Sequence, residues 1–346
     1  MSTMNELNLK VVFWNVNLKY NINMPMWVLS EILKLNPDII ILAEFYKVPN
    51  YGDFVQSLED EGYLCFEDPS QRAYNIRQIF IAVKKSIVVK SQQIDFITLN
   101  SNNLYWKQGI DEDTKKYNQT HKPNFLSVPI KIKSNNSDNE ISLRIIGARI
   151  RNYGAIKNDG EADWENERKF RVDWENERKF RNVQLKNLMK KIQEYKDENI
   201  LIAGDFNIDN HYKKTNWHYK NDFESVFKEF NIYVPEGEKG SVLNPKYQEY
   251  KLDKFIVSSP LEFKEIKYLF NFPQINAKNY PDHAILFGKL TFKDFKKFSI
   301  FDMLFTDGGE TYTKDELLER GITEKLLEEA IQHNFISEVS DGKFTR

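Results

Sequence analysis

Among 346 residues the chain has a single cysteine, Cys65. One thiol cannot close an intramolecular disulfide, and it leaves no cysteine-based zinc cluster to build. A small secreted scaffold held by disulfides is therefore excluded. The opening residues, MSTMNELNLK, contain neither the basic n-region nor the apolar h-region of a secretory signal. No apolar run approaches the roughly 20 residues that a membrane span needs. These absences predict a cytoplasmic protein without stable membrane association. Two more narrow the chemistry. No Gly-rich Walker loop and no G-x-S-x-G elbow is present, so P-loop NTPases and serine hydrolases lose their main signals. Bulk charge is missing too: 49 Lys plus Arg stand against 51 Asp plus Glu, a net of −2.

Material for a core is ample, at 41% apolar and 14% aromatic residues. At about 150 residues per domain, the length fits two domains or one large α/β domain with an appendage. Residues 9–14 form a β-branched and aromatic run that ends at Asn15-Val16-Asn17, and it reads as a buried strand. Leu29, Ile32 and Leu33 follow at helical spacing, stopped before Pro37. Asp38-Ile39-Ile40-Ile41-Leu42-Ala43-Glu44 reads as a second strand with a carboxylate at its end. Strand, helix, strand opens an α/β fold. More strands are expected at 79–83, 125–132, 141–150, 199–205, 254–257 and 284–290. A helix is expected over 183–195, on the apolar face of Leu185, Leu188, Met189 and Ile192. Just before it, DWENERKFR occurs twice, at 163–171 and 173–181. A ten-residue offset turns a helix by about −80° after whole turns, so the copies cannot share one face. The second copy, which runs into the amphipathic helix, is the one expected to pack.

Four strand ends carry polar groups after apolar runs: Asn15 with Asn17, Glu44, Asp205 with Asn207, and Asp282 with His283. In α/β sheets such ends converge on one rim, where ligands bind. Hard oxygen donors, one imidazole and carboxamides suit Mg²⁺ or Mn²⁺ better than a structural zinc.

Five segments occur in a telling order: Phe13-Trp14-Asn15-Val16-Asn17, Leu42-Ala43-Glu44, Gly204-Asp205-Phe206-Asn207, Leu252-Asp253-Lys254-Phe255-Ile256-Val257-Ser258 and Pro281-Asp282-His283-Ala284. Together they resemble the motifs of the endonuclease/exonuclease/phosphatase superfamily, from about residue 9 to 290. The resemblance implies an α/β (α+β) fold: a four-layer sandwich of two packed mixed sheets flanked by helices. It also implies metal-dependent phosphoester hydrolysis. By the same resemblance Glu44 is the main Mg²⁺ (or Mn²⁺) ligand, helped by Asn15 and Asp282. Asp205 accepts a proton from the attacking water or positions it, and Asn207 orients phosphate or water. His283 binds a non-bridging phosphate oxygen, while Asp253 holds its tautomer and stabilises the imidazolium. Asn17 departs from the pattern, standing where many members have an aspartate, so the metal shell carries one charge fewer. Arg149 stands where relatives carry a histidine or tyrosine facing the phosphate. A guanidinium can clamp phosphate with two parallel hydrogen bonds but cannot act as a general acid at neutral pH. The other reading of Arg149 is an ion pair with Glu44 or Asp205. Arg181 and Gln184 resemble a further family pair and are read as scaffold.

A basic and aromatic stretch, 211–220, follows the Asp205 strand and contains Lys213, Lys214 and Trp217. Cations track phosphates and rings stack on bases, so the stretch suits a nucleic-acid substrate. A looser one lies at 105–122. The expected function is thus a metal-dependent nuclease cleaving DNA or RNA. The alternatives are a phosphatase or phospholipase acting on inositol phosphates or sphingolipids, and a catalytically inactive binding module.

The catalytic domain is expected over 1–300 and a small helical, winged-helix-like appendage over 301–346. The appendage holds 5 basic and 11 acidic residues, leaving 44 and 40 for the rest. Near neutrality thus hides an acidic tail on a mildly basic body. Glu324, Glu328 and Glu329 on its second expected helix would repel phosphates, so a protein partner suits it better than nucleic acid.

Overall fold

A computed structural model describes residues 8–17, 23–67, 78–89, 97–98, 124–133, 140–150, 174–196, 198–208, 217–237, 239–243, 249–272, 281–292, 304–305, 311–332, 336–339 and 342–345. Two compact units result, Met1–Thr291 and Phe292–Arg346. The sequence reading placed the break at 301.

Strand β1 (Asn8–Asn15) shows why the apolar runs are continuous. Val11, Val12, Phe13 and Trp14 are all fully buried, on both faces of the strand. Side chains alternate along a strand, so such a run needs cover on each side. On one face Val12 and Trp14 pack with Ile40 and Leu42 of β2 (Ile39–Phe45) and Phe80 and Ala82 of β4 (Gln78–Lys84). The same cluster takes in Val28, Leu29 and Ile32 of α1 (Met26–Lys34) and Phe54 and Leu58 of α2 (Tyr51–Asp60). Pro25 caps the start of α1, and Asn36 leaves it in the left-handed region at φ 47°.

The first sheet has the order β11-β12-β1-β2-β4-β3, with β3 (Tyr63–Phe66), β11 (Leu261–Leu269) and β12 (Ile285–Phe292). Its β1 and β2 run parallel, and β12–β1, β2–β4 and β4–β3 are antiparallel. The second sheet has the order β5-β6-β7-β8-β10-β9. Its strands are β5 (Ile97–Thr98), β6 (Asn124–Lys133), β7 (Glu140–Arg149), β8 (Asn199–Asp205), β9 (Phe230–Tyr233) and β10 (Asp253–Ser258). Here β7 and β8 are the parallel pair. On its outer face lie α3 (Trp174–Ile192), through Leu185, Leu188 and Ile192, and α4 (Trp217–Val226), through Phe223.

The sheets meet face to face without room to spare. A Cβ on Gly147 of β7 would lie 2.2 Å from Ile79 and 3.0 Å from Ile41 of the first sheet. Helices, sheet, sheet, helices make the four expected layers. Elements α2, α4, β3, β5, β9 and β11 are not among those expected from the sequence, and α4 begins inside the 211–220 stretch. The apolar stripe of α2 is only two buried residues wide, and in β11 the alternation breaks where Lys264 and Glu265 are both exposed, with Glu265 at φ 53°. Neither pattern stands out from a solvated loop. The first DWENERKFR copy lies outside the described residues. The second enters α3, where only Arg181 has a described side chain. No helix among the described residues is long and apolar enough to cross a membrane.

The second unit has β13 (Tyr312–Thr313), α5 (Lys314–Glu319), α6 (Glu324–Gln332), β14 (Ser337–Val339) and β15 (Lys343–Thr345). The strands form an antiparallel sheet in the order β13-β15-β14. Thr313 and Glu316 close a capping box at α5: Glu316 N donates to Thr313 Oγ1 (3.3 Å) and Thr313 N to Glu316 Oε2 (2.7 Å). Leu317, Ile322, Leu327, Ala330, Ile336 and Phe344 give this unit a core of its own.

Candidate active site

The central parallel pairs of both sheets end on one rim. Asn15 and Glu44 close β1 and β2, while Arg149 and Asp205 sit opposite each other at the ends of β7 and β8. Asp253 opens β10 beside Asp205, its antiparallel partner, and His283 stands just ahead of β12. The rim therefore gathers Asn15, Glu44, Arg149, Asp205, Asn207, Asp253 and His283.

Three contacts join residues of one sheet to residues of the other. Asn15 Nδ2 donates to Asp205 Oδ2 at 3.0 Å, and to Glu44 Oε1 at 3.3 Å. Arg149 forms an ion pair with Glu44, Nη2 to Oε1, at 2.6 Å. His283 Nδ1 lies 2.9 Å from Asp253 Oδ2 and 3.2 Å from Oδ1. The second reading of Arg149, pairing with Glu44, is thus the geometry found. Asn15 is oriented by its own neighbour. Its oxygen accepts from Asn17 N at 3.0 Å, so its amide nitrogen faces the carboxylates. Asn15 thus bridges Glu44 and Asp205 through its amide nitrogen.

Local backbone aims these groups. Between Leu42 and Phe45 the pairing with β4 shifts register, so Ala43 and Glu44 face the single residue Ile79. This bulge puts Glu44 at φ 53°, a region costly for a residue with a Cβ, by roughly 1–3 kcal/mol. Asn207 (φ 51°) and Asn17 (φ 41°) share that region, which asparagine tolerates better. Asn207 N donates to Asp205 Oδ1 (2.9 Å), and its amide bonds Asp205 Oδ2 (3.1 Å) and Ile150 O (2.7 Å). Asp205 is thereby held from three sides, by Asn15, the Asn207 main chain and the Asn207 side chain.

Burial pushes the Asp253 carboxyl up to about 6, against the downward pull of the His283 contact. Burial would lower the His283 imidazole, but Asp253, bonded to it, and Asp205 outweigh that and raise it to about 10. At neutral pH the pair is imidazolium with carboxylate, leaving Nε2–H free to donate. Trp14 Nε1 donates to the His283 carbonyl at 2.9 Å and fixes the segment. The sequence reading did not single out this indole.

Two donor sets could hold a cation. Ligand atoms of Asp205, Asp253 and His283 lie within 4.8 Å of one another, but Asp253 already occupies Nδ1. Glu44 and Asp282 offer hard carboxylate oxygens, and Asp282 Oδ1 is buried with no hydrogen-bond partner among the described residues. An orphaned buried carboxylate oxygen is what a divalent cation satisfies, so these residues fit a hard metal. Lys213 and Lys214 lie outside the described residues, as does the 105–122 stretch. Trp217 starts α4, and only its backbone is described.

Among solved structures the chain is similar to the human Nocturnin catalytic domain with bound sulfate (TM-score 0.51, 18% identity, 83% of this chain and 94% of that one). It is similar to an endonuclease/exonuclease/phosphatase family protein from Bacteroides thetaiotaomicron (TM-score 0.52, 14% identity, 84% and 99%). It is also similar to ANGEL2, a 2′,3′-cyclic phosphatase, in complex with adenosine-2′,3′-vanadate (TM-score 0.51, 11% identity, 84% and 98%). No family model and no curated protein matches the sequence. The chain has the fold of the endonuclease/exonuclease/phosphatase superfamily.

Proposed function

We propose that the protein is a divalent-metal-dependent phosphodiesterase, and specifically a nuclease that cleaves DNA or RNA by in-line attack of water. The observation that carries this reading is the convergence on one rim of a braced carboxylate, a His–Asp pair, a guanidinium and the further carboxylate of Glu44. Asp205 would orient the attacking water and take up its proton, with Asn207 holding Asp205 in place. His283 would donate from Nε2 to a non-bridging phosphate oxygen, its charge kept by Asp253. Arg149, already at the rim on Glu44, would transfer to the phosphate and grip two oxygens at once. Glu44 and Asp282 would hold Mg²⁺ or Mn²⁺, which supplies Lewis-acid stabilisation of the charge that develops on phosphorus-bound oxygens.

Support for a phosphoester substrate comes from the company of the fold: one neighbour binds sulfate and another an adenosine-2′,3′-vanadate. Support for a polynucleotide comes from the basic and aromatic 211–220 stretch directly after the Asp205 strand. The protein works in this reading as a cytoplasmic enzyme of residues 1–300, with the acidic 301–346 segment as a site for a protein partner. A substrate panel tests it: single- and double-stranded DNA, RNA, abasic DNA, an inositol phosphate and sphingomyelin, each with Mg²⁺ and Mn²⁺. Metal-dependent cleavage of a polynucleotide is expected, abolished in Asp205→Asn. Turnover of the lipid or the inositide alone would overturn the nuclease assignment.

A further inference from the structure

Asp253 stands at the first residue of β10, where the ladder runs out and its backbone groups need other partners. Side chains take both. Tyr268 OH donates to the Asp253 carbonyl at 2.6 Å, and Asp253 N donates to Ser241 Oγ at 3.3 Å. The same Oγ accepts from Leu252 N at 3.0 Å and donates to Tyr250 O at 3.3 Å. A hydroxyl has one proton and two lone pairs, so the bonding capacity of Ser241 is fully used. The residue is completely buried.

Its main chain holds the other half of the pair. Ser241 O accepts from Ala284 N at 2.7 Å, Val242 bridges His283, and Leu243 N donates to Asp282 O at 2.8 Å. Close approach of the two loops depends on the preceding residue. A Cβ on Gly240 would sit 2.2 Å from Tyr250 O. One residue thus grips Asp253 through its side chain and the 282–284 segment through its backbone.

We propose that Ser241 is the positioning residue of the Asp253–His283 pair, an inference that rests on the phosphodiesterase reading. All three hydroxyl bonds end on residues 250–253, so its service is to the placement of Asp253. Replacing it by an apolar group strands the Leu252 and Asp253 N–H groups and lets the carboxylate drift from Nδ1.

The full chain is assayed with bis(p-nitrophenyl) phosphate and Mn²⁺, with Mn²⁺ binding followed by electron paramagnetic resonance. Ser241→Ala should lower kcat by roughly 100-fold, as an ångström of misplacement does, with KM and Mn²⁺ affinity unchanged. Ser241→Thr should restore turnover. Ser241→Cys, close in size but a poor acceptor, should behave like the alanine variant and covers the case in which that variant fails to fold. In an Asp253→Ala background, Ser241→Ala should cost nothing further, because its path is already cut. A full additional loss there, or no rescue by threonine, would overturn the proposal. A wild type inert toward every phosphodiester would sink the phosphodiesterase reading instead. The downfield proton resonance of His283 Nδ1–H then decides for Ser241: loss in the cysteine variant supports positioning, and an unchanged signal refutes it.

Discussion

The two sheets of the larger unit repeat one plan and use it differently. In each, a central parallel pair is flanked by antiparallel strands, and that pair ends at the site. The second sheet reaches the rim on regular strand: Asp205 still pairs with Arg149 and Asp253 in register. The first sheet reaches it through a bulge, with Glu44 held at φ 53°. Charge divides as well. One sheet brings Glu44 and the imidazole, the other Arg149 and the two aspartates that answer them. Neither half is a site alone, because the Asn15–Asp205, Glu44–Arg149 and His283–Asp253 contacts all cross between sheets. A polar site braced across an interface reports whether the interface has formed.

The largest effect is expected at Asp205. Asp205→Asn keeps the shape and the Asn15 and Asn207 neighbours but removes the carboxylate that the proposed mechanism uses as proton acceptor. It should lower kcat by about 10²–10⁴-fold, measured under single turnover with saturating metal. Next comes pH, which reads the pair that spans the sheets. The Asp253 carboxylate gains a proton below about 6, and the His283 imidazolium loses one above about 10. The rate should be flat between those limits and fall about tenfold per pH unit outside them. A midpoint near the ordinary imidazole value, 6.5, on the alkaline side would show that Asp253 does not hold the charge.

Gly147→Ala attacks the interface itself. The added methyl meets Ile79 at 2.2 Å, so urea unfolding should show a loss of about 1–3 kcal/mol. The smallest effect is expected at Arg149→Met. Removing the cation from Glu44 should tighten Mn²⁺ binding by about fivefold, the low end of a linked-site coupling, while the rate on phosphodiesters falls. Weaker Mn²⁺ binding in that variant would show that the guanidinium organises Glu44 and does not compete for it.

How far the sequence could be read follows from what each feature is made of. Buried strands such as 39–45 were plain because apolar cover on both faces leaves an unbroken run of Ile and Leu. The capping box of Thr313 and Glu316 is a local signal of the same kind, because its partners are three residues apart. Helix α2 was missed because its apolar stripe is narrow, and strand β11 because its alternation breaks at Lys264 and Glu265. Ser241 and Trp14 were missed because their hydrogen bonds reach 12 and 269 positions along the chain, to Asp253 and His283.

The α/β layering and the polar strand ends Asn15, Glu44, Asp205, Asp253 and His283 are written in the local sequence. Those properties are local: a run buries, a turn residue stops it, and the polar group is left at the end. Only the tertiary structure decided that Arg149 lies on Glu44, that Asn15 presents nitrogen and not oxygen, and that a bulge aims Glu44. These are set by which groups become neighbours when the sheets dock. In a buried interface a polar atom is satisfied by the partners that docking supplies.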